Sequence, residues 1–212
     1  MPMLASPTRL LAVVSIFACL STVRADSWAP PEAISVRSRD GRFRLTVDPA
    51  SAVLDPPADK DAPERPGCQK ARAKLKKKSE VGGFEVVWEQ PLTNRVSPVE
   101  VLVGDDGTVV TLDNWHWVGH GSNVVVIYGP DGKLVRSMGL EDFLTEEEVK
   151  ELPHSVSSIW WGHGHRLDME DETLILNVGN ANFPGEKAFT KVVRVRLDSG
   201  ELVEEENDPG AK

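Results

Sequence analysis

Imidazoles and indoles are concentrated in one part of this 212-residue chain. All five histidines, His116, His120, His154, His163 and His165, fall between positions 116 and 165, and four of the six tryptophans, Trp115, Trp117, Trp160 and Trp161, stand among or beside them. The sharpest chemistry this permits is coordination of a divalent metal such as zinc, for which neutral imidazole is a favoured ligand. His163 and His165 are two apart, so on an extended chain both side chains point the same way with ~6.6 Å between their Cα atoms, a separation from which two rings can share an ion. His154 or Asp113 would complete the coordination sphere. His116 and His120 are four apart, a helical spacing, but Gly119 and Gly121 argue for a loop. There is no His-Glu-x-x-His and no cysteine pair, so the metal expectation rests on His163 and His165, with His154 or Asp113 beside them. The plainer reading makes the histidines of the two Gly-His-Gly triplets turn residues on an aromatic-rich surface.

Other chemistries have less to stand on. A Ser122, His120 and Asp113 set can be drawn, but Gly-His-Gly-Ser-Asn is not a nucleophile elbow. Asp168, Glu170, Asp171 and Glu172 lack the alternating oxygen ligands and glycine of a calcium loop and read as a solvated acidic turn. No glycine-rich phosphate loop or dinucleotide fingerprint follows a strand. No catalytic residue is therefore assigned, and no cofactor beyond the metal alternative. The expectation is a non-enzymatic protein that binds a protein partner or small ligand through Asp113, Asn114, Trp115, His116, Trp117, His120, Trp160 and Trp161, a mixture of aromatic platforms and polar groups. The rival is a metal-binding protein or metal-dependent hydrolase.

These residues need elements to position them, and short β-branched runs separated by Asp-Gly and Ser-Gly signals supply hairpins. The clearest stretch predicts strands at 99–103, 108–112, 123–128 and 133–137, a four-stranded antiparallel meander. The pattern recurs downstream at 166–169, 173–178, 189–197 and 201–204, and upstream at 34–37, 42–47, 70–76 and 84–88. The fold class is therefore mainly β, built of about three blade-like meanders, with one helical insertion at 140–152. Within that insertion Thr145 caps, Glu148 stands at the capping-box position and Pro153 stops the helix. In such meanders the long connections leave from one end of the strands. His116 and His120 lie in one such connection, His154 and His163 in another, and His165 enters the next strand, so one face should collect all five.

The residues VGDDGTVVTLDNWH (103–116), NVVVIYGPDGKLV (123–135) and SVSSIWW (155–161) resemble the repeats of uncharacterised bacterial exported proteins with β-propeller-like blades. The resemblance implies a propeller-like architecture over the second half of the chain. Closure of a propeller needs at least about four blades, so three imply an open, strongly twisted array, a sandwich, or an array completed by a partner. Open sheet edges would also permit self-association.

The N-terminus predicts export. An apolar run at 10–20 (LLAVVSIFACL) follows Arg9, is too short to span a bilayer, and precedes Val23 and Ala25 at the positions of a signal-peptidase site, giving a signal peptide over 1–25 and a periplasmic or extracellular product. A rival processing at Cys19 would leave a lipid anchor. Either route leaves Cys68 as the only other cysteine, so packing must hold the fold. The β-repeat domain then spans 26–204, with a proline-rich loop at 48–67 and an acidic tail at 205–212. A formal net charge of −9 disfavours nucleic acid or an anionic membrane as partners of the whole chain, and no transmembrane segment is expected. The local exception is 70–78 (KARAKLKKK), which reads as a strand with Ala71, Ala73 and Leu75 inward and its cations in water.

Overall fold

The computed structural model describes residues 29–50, 70–155, 157–179 and 190–203. The expected signal peptide, most of the proline-rich loop and the acidic tail lie outside these residues.

Three antiparallel sheets follow one another along the chain. The first joins β1 (Ile34–Arg37), β2 (Phe43–Asp48), β3 (Arg72–Lys78) and β4 (Phe84–Pro91) in sequence order. The second joins β5 (Glu100–Val103), β6 (Val109–Leu112), β7 (Val125–Tyr128) and β8 (Leu134–Met138) in the same way. The third contains β9 (Arg166–Asp168), β10 (Thr173–Gly179) and β11 (Thr190–Arg196). Its expected fourth strand is reduced to a single bridge between Leu202 and Val195, although the Arg196 N–H to Glu201 carbonyl and Val203 N–H to Arg194 carbonyl bonds keep 201–203 alongside β11. Between the second and third sheets a 3₁₀ turn at Leu140–Asp142 leads to the short helix α1 (Glu146–Lys150), capped reciprocally by Thr145 and Glu148 as their spacing predicts.

The middle sheet explains why β6 and β7 are buried at every position. Side chains alternate across a strand, and here both faces are covered. Val109, Val126 and Tyr128 pack with Phe43, Leu45 and Leu75 of the first sheet. Val110, Leu112 and Ile127 pack with Leu174, Leu176 and Val195 of the third. The first sheet meets this core through the apolar alternate positions of β3, with Ala73 and Leu75 buried and the lysines outside.

Hairpin turns fix the sense of the array. The Asp40 N–H in the β1–β2 turn donates to the Asp105 carboxylate in the β5–β6 turn at 2.9 Å, and the Arg42 guanidinium donates to the Asp105 carbonyl at 2.8 Å. Gly104 in that same turn lies against Met169 of the β9–β10 turn. These three turns therefore share one end of the molecule. The β6–β7 and β8–β9 connections must leave from the other.

Candidate functional site

The β6–β7 connection begins at Asp113, whose N–H donates to the Val124 carbonyl at 2.7 Å and so closes the base of the loop. Asp113 and His116 adopt left-handed backbone at φ 59° and 72°, a region that Asp and His enter more readily than most side chains. Within the loop the Trp117 N–H reaches the Asn114 carbonyl at 2.8 Å and the His120 N–H reaches the Trp117 carbonyl at 3.2 Å. The resulting coil sets four rings in a row, tilted or edge to face. Trp115 and His116 lie 5.2 Å apart between centroids, His116 and Trp117 6.4 Å, and Trp117 and His120 6.0 Å. The Trp115 indole N–H donates to the Ala29 carbonyl at 3.1 Å, anchoring this row to the start of the described chain.

The β8–β9 connection folds against that loop. His154 and Ile159 form a bridge, and the Trp160 N–H donates to the Pro153 carbonyl at 2.8 Å. The Ile159 N–H then donates to the Val118 carbonyl at 2.9 Å, joining the two connections through their backbones. Gly119 is needed at this junction: its φ is +73°, and a Cβ there would stand 2.7 Å from the Ile159 carbonyl oxygen.

Asp113 locks the junction from inside. One carboxylate oxygen accepts the Gly119 N–H at 2.7 Å, and the Trp161 indole N–H is shared between both oxygens at 3.1 and 3.0 Å. The Asp113 carbonyl accepts from the Asn94 amide at 2.8 Å, and Asn94 in turn accepts the Thr111 hydroxyl at 2.8 Å. Burial drives the Asp113 carboxyl up to about 7, although the Gly119 and Trp161 bonds pull against it and the nearby Glu100 charge adds to it. Trp161 is 1 % exposed, lies 5.7 Å from Phe143, and stacks on His165 at 4.4 Å with 21° between ring planes. Burial, then the neighbouring His163, holds the His165 imidazole down at about 4, so the ring is neutral, and its Nδ1 has no hydrogen-bond partner among the described residues.

The residues expected to contact a ligand thus divide in two. Asn114, Trp115, His116, Trp117 and His120 are partly exposed, and Trp160 at 39 % is an exposed indole. Asp113 and Trp161 are interior and hold the rim together, which corrects their assignment as ligand contacts: a carboxylate engaged by two donors and an indole at 1 % exposure are not open to a ligand.

The metal set is also not assembled. Among the described residues no three His, Cys, Asp or Glu side chains gather where an ion would bind. His154 and His163 are exposed whereas His165 is buried at 8 %. The expected same-side placement of His163 and His165 fails because Gly164, at φ +65°, breaks the extended backbone on which it depended. The two residues that sequence reasoning missed, Asn94 and Thr111, carry no motif. They are legible only once β6 and the 92–97 segment are adjacent.

In comparisons with known proteins the chain matches no family model, no curated protein and no solved structure.

Proposed function

We propose that the chain is an exported, non-enzymatic β-repeat protein, built like an open propeller, that binds a protein partner or small ligand at the rim formed by the β6–β7 and β8–β9 connections. One observation carries this reading: the Ile159–Val118 backbone bond brings Trp117 and His120 from one connection beside Trp160 from the other. Partly exposed indoles next to imidazole ring nitrogens and an amide offer flat apolar area with directional polar groups, the composition of binding surfaces. The interior carboxylate gives that surface a fixed frame, which lowers the ordering cost of binding.

The test is a spectral titration of the assigned chain with a panel of peptides and oligosaccharides. The reading expects at least one compound whose shifts map to Trp117, His120, Trp160 and His163. A variant combining Trp160→Ala with His163→Ala, both exposed, should lose that response while keeping its melting temperature. Responses that map elsewhere, or that survive the double variant, would remove the rim as the binding surface.

A further inference from the structure

The outer face of the first sheet, remote from the rim and independent of the reading above, has an arrangement that solvation alone does not explain. A solvated sheet face gains from opposite charges across strands and loses from like charges directly opposite. Here Arg37 stands opposite Arg44, and Arg44 opposite Lys76, in one row across three strands, and the row ends on β4 at Val86, 55 % exposed. The face does hold two acids, Glu89 and Asp48, but Glu89 is engaged by Lys74 at 2.9 Å and Arg72 at 3.8 Å, and Asp48 stands opposite Arg72 at the far end of the sheet. Farther along, Lys78 stands opposite Phe84, whose ring is covered by the Arg44 guanidinium at 4.4 Å. The β3–β4 turn then projects Val81, 94 % exposed, beyond these cations, with Glu80 as the acid beside it. Residues 34–48 and 70–91 together carry ten Lys and Arg against five Asp and Glu, in a chain whose formal net charge is −9.

We propose that this face and the β3–β4 hairpin dock on a bilayer surface bearing anionic lipid headgroups. Arg37, Arg44, Lys76 and Lys78 meet the lipid phosphates, and Val81 enters the boundary between headgroups and acyl chains. Each cation near such a surface adds to the attraction, and an apolar tip adds burial that a soluble polyanion does not provide. The apolar tip is what selects a membrane over a nucleic acid, since Phe84 is capped by Arg44 and is not open for base stacking. Docking relieves the repulsion along the Arg37–Arg44–Lys76 row.

The experiment is cosedimentation of the full chain with vesicles of phosphatidylcholine and with an equimolar mixture of phosphatidylcholine and phosphatidylglycerol. All comparisons are between variants of the same full chain, so the apolar 10–20 segment contributes to each alike. A preference for the anionic vesicles of roughly tenfold is expected at low salt, falling strongly at high salt. Lys76→Glu with Lys78→Glu should reduce that preference by about fivefold or more, and Val81→Asp should reduce it separately, with melting temperatures unchanged. An unchanged preference in the lysine double variant overturns the proposal. So does loss in the lysine variant with none in Val81→Asp and full displacement by inorganic polyphosphate, which would mark a site for soluble anions. Self-association without vesicles that these substitutions abolish would make the face a contact between copies and equally overturn it.

Discussion

The Trp161 indole N–H donates to the carboxylate of Asp113 across 48 positions of sequence, at 3.1 and 3.0 Å to the two oxygens. This contact ties the two long connections that end at the rim. Because both groups are buried, it is more consequential than an exposed pair of the same geometry.

Truncating the indole should therefore be costly for two separable reasons. Trp161→Ala removes a large core side chain and is expected to destabilise by about 3–5 kcal/mol. Trp161→Phe keeps most of the volume and leaves the carboxylate with Gly119 as its remaining donor, for a cost of about 1–3 kcal/mol. Urea denaturation of the two variants separates the packing loss from the hydrogen-bond loss. A Trp161→Phe variant as stable as the parent would mean that the indole N–H contributes nothing.

Asp113 and His165 should give stability slopes of opposite sign in mild acid. A carboxyl raised from 3.8 to about 7 leaves the folded state holding a proton that the unfolded state has released, so its contribution is full below about 3.8 and is lost as pH rises towards 7. An imidazole lowered from 6.5 to about 4 does the reverse: the unfolded state takes up a proton that the folded state refuses, and stability rises with pH between about 4 and 6.5. The shifts are worth on the order of 3–4 kcal/mol each, so between about pH 4 and 6.5 the two largely offset one another. Asp113→Asn, which keeps an oxygen acceptor, should expose the rising slope, and His165→Phe the falling one. Denaturation midpoints between pH 4 and 7 check the signs, and parallel slopes in the two variants would contradict them.

His165→Phe also tests the orphaned ring nitrogen. Phenylalanine retains the stack on Trp161 and removes a buried polar atom that has no partner among the described residues. Near pH 7, where neither group's linkage favours the native histidine, the variant should be as stable as the parent or about 1 kcal/mol more so. A loss of more than about 2 kcal/mol would reveal a hydrogen bond to that nitrogen.

Strands and their order were legible because hydrophobic alternation and turn residues are local signals. Asp40-Gly41, Gly104–Gly107 and Pro130-Asp131-Gly132 mark hairpins, and each occurs between paired strands. Thr145 and Glu148 declared their helix for the same reason. The rim was legible in part, since a meander dictates where long connections emerge. What the sequence hid was depth. Asp113 and Trp161 look like surface chemistry in a list of residue types, yet both are buried where the two connections meet. His163 and His165 look like a pair until the backbone turn at Gly164 separates them. Leu202 shows the converse: its strand shrinks to a bridge at the outer edge of the third sheet.

Gly119 and Gly121 offer a controlled comparison at the rim. Both have left-handed φ, at 73° and 76°, but a Cβ at Gly121 meets nothing within 4 Å whereas one at Gly119 strikes Ile159. Gly121→Ala should cost about 1 kcal/mol from backbone strain alone. Gly119→Ala should cost at least about 2 kcal/mol more, because the connections must part. Thermal unfolding of both variants decides it. Equal costs would show that the close approach of Gly119 to Ile159 is absent.

Metal dependence is checked by elemental analysis of untagged protein. With no set of three ligating side chains among the described residues, chelator should leave the melting temperature unchanged and bound zinc should be well below stoichiometric. A chelator-sensitive transition lost in His163→Ala would restore the metal reading.

The most direct measurement is a proton–proton Overhauser experiment on the labelled chain. One oxygen of Asp113 receives both the Gly119 amide at 2.7 Å and the Trp161 indole N–H at 3.1 Å, which puts the two hydrogens within about 4 Å of each other. A cross-peak between them is expected. Its absence, with both resonances assigned and sharp, would mean that the β6–β7 and β8–β9 connections do not share a rim.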